Sequence, residues 1–111
     1  MAFHTFGSPV VGYVRSVRLH DPELDVAEQL IREHARAYGL NLVHVFREEG
    51  ISSVASWRPE LEKLIHGLKH HDWAGVLIPD DTHWSRNKNM AARIRGRVER
   101  IGWVTVLNDH G

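Results

Sequence analysis

Ala74-Gly75-Val76-Leu77-Ile78-Pro79 is the stretch that decides the fold of this chain. From Ala74 to Ile78 the run is apolar without interruption. A strand that is apolar on both faces belongs in the middle of a parallel sheet, with helices covering each side. The neighbouring segments agree. Upstream, Pro59 opens a helix with Leu61, Leu64, Ile65 and Leu68 on one face, and His70-His71-Asp72 ends it. Before that, Leu40 to Phe46 alternates as a strand, and Arg47 to Trp57 reads as a polar loop with Gly50 and three serines. Downstream, Pro79 to Arg86 is a polar loop. Asn87 to Ile101 then forms a helix on Met90, Ala91, Ile94, Val98 and Ile101. Gly96 weakens its middle by up to about 1 kcal/mol. Gly102 stops it, and Trp103 to Leu107 is the last strand.

The amino-terminal part completes the pattern. Val10 to Arg15 is a short β-branched run, a buried strand. Asp21-Pro22 predicts a helix start, with Asp21 as N-cap and Pro22 in the first helical position. Leu24, Ala27, Leu30, Ile31, His34, Ala35 and Tyr38 follow at helical spacing, and Gly39 is the stop. The order is βαβαβαβ. It predicts an α/β fold of three layers, with a mostly parallel four-stranded sheet and right-handed crossovers. Residues 10–111 form the domain and residues 1–9 a flexible polar tail. Function in such sheets sits in the loops after the strands, here 16–21, 47–57, 79–87 and 108–111.

Composition narrows the partners. The 111 residues hold 14 Lys+Arg and 14 Asp+Glu, a net charge of zero. Nonspecific DNA affinity comes mostly from phosphate neutralisation, so a neutral chain is expected to bind DNA weakly and without sequence preference. Residues 86–100 are nonetheless basic, with Arg86, Lys88, Arg93, Arg95, Arg97 and Arg100 against Glu99 alone. Helical spacing groups Arg93, Arg97 and Arg100 as the nucleic-acid-facing side; the same face also reads as an ordinary solvated one. There is no cysteine, so no disulfide or thiolate metal site, and a cytoplasmic location is expected. No apolar run approaches the roughly 20 residues that span a membrane, and the first nine residues lack a signal-peptide pattern. His70, His71, Asp72, Asp80, Asp81 and His83 do not fall at metal-ligand spacing, so neither metal nor cofactor is expected. Asp80-Asp81 after a strand suits a phospho-acceptor, but the companion acids and lysine of such a site are missing.

Three segments carry a resemblance. They are Tyr13-Val14-Arg15-Ser16-Val17, then Glu49-Gly50-Ile51-Ser52-Ser53 with Arg58-Pro59-Glu60-Leu61, and Trp84-Ser85-Arg86-Asn87. In this order they resemble the catalytic domain of the serine recombinases, the resolvases and invertases, over residues 10–107. The resemblance implies DNA cleavage by a serine nucleophile that forms a phosphoserine bond, with arginines stabilising the phosphate. Arg15 and Arg86 match two of those arginines. Elsewhere the chain departs from the pattern. The family reads Tyr-x-Arg-x-Ser, which puts Val17 at the nucleophile position. Thr82 and His83 stand where an aspartate and an arginine belong, and Glu49 replaces an arginine.

The implied function is therefore a recombinase-type core without catalysis, acting as a binding, regulatory or self-associating module, a homodimer, linked to DNA. The alternative is an active fragment that cleaves through Ser16. Ser16 lies one step early on an extended segment and so points to the opposite face. Arg15, Arg18, Ser85, Arg86 and Asn87 are the expected anion-binding group, and Ser16, Arg15 and Arg86 the candidate catalytic residues. More ordinary roles are also open: Arg15 paired with Asp80 or Asp81, Asn87 as a helix cap, Ser52 and Ser53 as turn residues, Tyr13 as core. The family's long dimer helix and DNA-binding domain would follow the fourth strand, so sequence-specific reading is not expected of these residues.

Overall fold

The computed structural model describes residues 7–108. Four strands and three helices follow one another in the expected order: β1 Pro9–Ser16, α1 Pro22–Ala37, β2 Asn41–Glu49, α2 Pro59–Lys69, β3 Gly75–Ile78, α3 Lys88–Glu99 and β4 Trp103–Val106. All three strand pairings are parallel, in the order β2-β1-β3-β4. Most of the expected tail, residues 1–6, lies outside the described residues. Gly7 and Ser8 hydrogen-bond to Gly39 and Asn41, and Pro9 opens β1. No helix among the described residues is long and apolar enough to cross a membrane.

Alternation along β1 divides the core. Val10 and Val14 pack with Leu24, Ala27, Ile31 and Ala35 of α1. Val11 and Tyr13 pack with Leu61, Leu64, Ile65 and Leu68 of α2 and with Ala91 and Val98 of α3. Leu24 and Ile31, both nearly inaccessible, each contribute roughly 1.5–3 kcal/mol of apolar burial. Gly12 lets α1 lie close on β1, since a Cβ there would sit 2.9 Å from the Ile31 side chain.

The caps follow the sequence. Asp21 accepts the Glu23 N–H with Pro22 behind it, and Gly39 turns the chain at φ +64°. Asn87 accepts the Met90 N–H as the α3 cap, so that helix starts at Lys88 and ends at Glu99, two residues short of the expected Ile101. Strand β2 runs to Glu49, three residues past the expected Phe46, because Tyr13–Ser16 continue to pair with Phe46–Glu49. The polar ending is accommodated residue by residue. Arg47 reaches Asp25 and Glu28 of α1 at 2.9 and 3.1 Å, Glu49 accepts the His20 N–H, and Glu48 turns inward.

Candidate functional site

The chain leaves β1 toward β2 on one side and later returns to place β3 on the other. The crevice between the carboxyl ends of β1 and β3 is thus a topological switch point, where α/β sheets bind ligands. A cavity of about 590 Å³ lies there. Arg15, Ser16, Val17 and Arg18 line it from the end of β1, Asp21 from the start of α1, Ser52 and Ser53 from the loop after β2, and Asp80, Thr82, His83 and Arg86 from the loop after β3.

Arg15 and Ser16 diverge, as strand alternation requires. Arg15 is 7 % exposed. Its guanidinium donates from Nε to the His83 carbonyl at 3.3 Å, from Nη1 to the Ile51 carbonyl at 3.2 Å, and from Nη2 to the Thr82 carbonyl at 3.0 Å. Its own N–H donates to His83 Nδ1 at 3.0 Å. Arg15 therefore pins the loops after β2 and β3. It pairs with neither aspartate: Asp80 accepts from the Thr82 amide and hydroxyl, and Asp81 binds Arg95 at 3.1 Å.

Ser16 is also buried. Its Oγ donates to Asp21 Oδ2 at 2.6 Å and accepts the Arg18 N–H at 3.1 Å. That bond, followed by the Glu23 amide, holds the Asp21 carboxyl below its usual range. A carboxylate held below its usual range is a poor proton acceptor for a hydroxyl. Val17, by contrast, is 63 % exposed.

A second buried guanidinium, Arg58, was quoted in the sequence resemblance without a role. It is 2 % exposed and donates to the carbonyls of Ser53, Ala55 and Trp84. The available signal was an arginine at an N-cap, where Ser, Thr, Asp and Asn are preferred. Glu48, 1 % exposed, performs the capping instead: it accepts the Glu60 and Leu61 amides at 3.1 and 3.0 Å and the Tyr13 hydroxyl at 3.1 Å. Burial, with Glu48 beside it, pushes the Tyr13 phenol up, so it remains a donor at neutral pH. Burial and then Arg58, with Arg86 further down, lower the Arg15 pKa. Of these, Arg15 and Arg86 line the cavity, while Arg58 lies behind it, holding the Ser53 and Trp84 carbonyls.

Of the expected anion group, Arg15, Arg18 and Arg86 line the cavity, while Ser85 and Asn87 do not. The Ser85 hydroxyl donates to the Ser53 carbonyl at 2.8 Å and accepts the Asn87 N–H, and Asn87 caps α3. Arg93, Arg97 and Arg100 do share one groove, but both Nη atoms of Arg97 bind Glu62 at 3.0 Å, so two of the three remain without a carboxylate among the described residues.

The family profile described as Resolvase, N terminal domain, matches residues 10–109. The chain belongs to the resolvase family. Its fold is that of the serine recombinase catalytic domain. The C-terminal catalytic domain of ISC1926 TnpA, an IS607-like serine recombinase, superposes with a TM-score of 0.80 at 20% identity, over 92% of this chain and 69% of that one. The N-terminal catalytic domain of TP901-1 integrase gives 0.78 at 18%, over 91% and 78%. A resolvase family site-specific recombinase from Streptococcus pneumoniae gives 0.72 at 15%, over 92% and 73%. No curated protein sequence matches the chain.

In this resolvase-family domain His83 lines the cavity and is expected to make it sensitive to acid. Burial lowers its pKa below 6.5; Asp80 opposes the shift and Arg15 adds to it. Nδ1 accepts the Arg15 N–H only while unprotonated. The folded state resists the proton that the unfolded state accepts. This contribution to stability is therefore intact above about pH 6.5 and lost as pH falls below it. We expect the His83 imidazole to titrate below about 6.5 by NMR. The loss of denaturation midpoint between about pH 7.5 and 5.5 should be smaller in His83→Gln than in the parent. An equal loss in both would show that another group carries the acid sensitivity.

Proposed function

We propose that this resolvase-family domain does not cut DNA and acts as a binding module, self-associating and linked to DNA, whose strand-end loops keep the recombinase architecture without its nucleophile. One observation carries the reading: the only hydroxyl at the end of β1 is buried and donated to Asp21 at 2.6 Å, on the α1 face, opposite Arg15. Phosphoryl transfer needs an in-line nucleophile facing the charge that stabilises the phosphate. Here Arg15 and the serine leave β1 on different faces, Ser16 is tied to Asp21, and the exposed residue beyond them is Val17.

The Ser16–Asp21 contact also favours a second reading, a serine activated by a carboxylate. The depressed Asp21 pKa and the burial of Ser16 weigh against it. Incubation with supercoiled DNA and a denaturing quench separates the two. We expect no covalent protein–DNA adduct from the parent chain, from Ser16→Ala, or from Val17→Ser, because Arg15 is engaged with backbone carbonyls and Glu49, Thr82 and His83 still stand at the other positions of the pattern. Adducts formed by the parent and absent from Ser16→Ala would establish cleavage through Ser16 and end the non-cleaving reading.

A further inference from the structure

The groove between α2 and α3 lies away from the strand-end cavity. It has a volume of about 440 Å³. Its floor is apolar, with the half-buried Met90 and Ile94 of α3 beside the buried Leu61 of α2; Ile94 also packs on the core beneath. Its rim is cationic. Arg93 and Arg97 stand along one face of α3, Arg100 follows as its C-cap, and all three are exposed. The lining includes four arginines, one of them the buried Arg58, and one acid, Glu62, in a chain whose total charge is zero.

From these features we infer that the groove docks an acidic amphipathic helix of a protein partner. A phosphate backbone would satisfy Arg93 and Arg100 and leave the half-buried Met90 and Ile94 wet. It would also meet Glu62, which holds both Nη atoms of Arg97. A helix with apolar residues on one stripe and carboxylates flanking it satisfies both parts of the groove: side chains fill the floor, and the flanking acids meet the free arginines. The Glu62–Arg97 pair then sets register, because it rejects an acid in front of Glu62 and leaves one acceptable opposite Arg93 or Arg100. The inference holds whether or not the strand-end cavity cleaves DNA.

Fluorescence anisotropy on the full chain tests it with three probes carrying one dye. The first is a synthetic peptide with leucine at i, i+3, i+4 and i+7 and glutamate at the flanking positions. The second is a scramble of the same composition, and the third a short duplex DNA. The patterned peptide should bind about tenfold or more tighter than the scramble and the duplex. Arg93→Glu with Arg100→Glu should weaken it about tenfold or more, whereas the paired lysine variants should retain binding, since the rim acts through charge. Met90→Asp, at a half-buried position, should weaken it as well, with far-ultraviolet circular dichroism confirming the fold of each variant. Equal binding of peptide and scramble, preference for the duplex, or indifference to the arginine reversals would each overturn the assignment.

Discussion

Glu48→Ala is expected to destabilise the domain by about 3–5 kcal/mol, the cost of removing one partner from a buried charged network. The carboxylate is 1 % exposed and receives three donors: the Tyr13 hydroxyl from β1 and the Glu60 and Leu61 amides at the start of α2. Those amides are the positive end of the helix, so the charge is stabilised where it sits. Truncation to alanine leaves a buried phenol and two amides without an acceptor, each costing roughly 1–3 kcal/mol. Glu48→Gln keeps the volume and one acceptor oxygen and should lose less. Tyr13→Phe removes a single donor and should lose about 1 kcal/mol. Urea denaturation midpoints at constant slope give the ranking. A Glu48→Ala chain within about 1 kcal/mol of the parent would mean that water replaces the carboxylate and that α2 is not anchored through it.

How much of this was legible in the sequence depends on the kind of partner each residue has. Apolar periodicity was sufficient for the elements. The unbroken Ala74–Ile78 run became the interior strand β3, and Asp21-Pro22 and Asn87 mark their helix starts through local hydrogen bonds. Strand alternation was also enough to send Ser16 and Arg15 to opposite faces. The identity of the Ser16 partner was not legible, because Asp21 reaches it only through the turn that contains His20 at φ +54°.

Polar residues with distant backbone partners gave the least signal. Arg15 and Arg58 are satisfied by carbonyl oxygens, which every residue has, so no side-chain pattern announces them. The polar end of β2 read as loop for the same reason: Arg47, Glu48 and Glu49 each find a partner on a different segment. The resemblance supplied the location of the site. The structure supplied what the residues there do, which for Arg15, Arg58 and Ser85 is to hold loops together.

Trp84 is the clearest case of a buried residue inside a segment that reads as polar loop. It is fully inaccessible and stacks on Tyr13, with ring centroids 5.4 Å apart and planes 15° from parallel. Its backbone carbonyl accepts from Arg58, so the indole anchors the loop carrying His83, Ser85 and Arg86. We expect Trp84→Ala to lose about 3–5 kcal/mol through the cavity and the lost ring contact. Trp84→Phe should lose much less. The indole Nε1 is buried with no hydrogen-bond partner among the described residues, so replacing it strands no acceptor and relieves an unsatisfied donor. Phenylalanine also retains the face that lies on Tyr13. Denaturation midpoints for the two variants should therefore separate widely, and limited proteolysis should cut the 79–87 loop faster in Trp84→Ala than in Trp84→Phe at equal denaturant distance from the midpoint. If the two variants lost equal stability, the indole N–H would have a partner, and the loop would owe its position to that hydrogen bond rather than to the stacked ring.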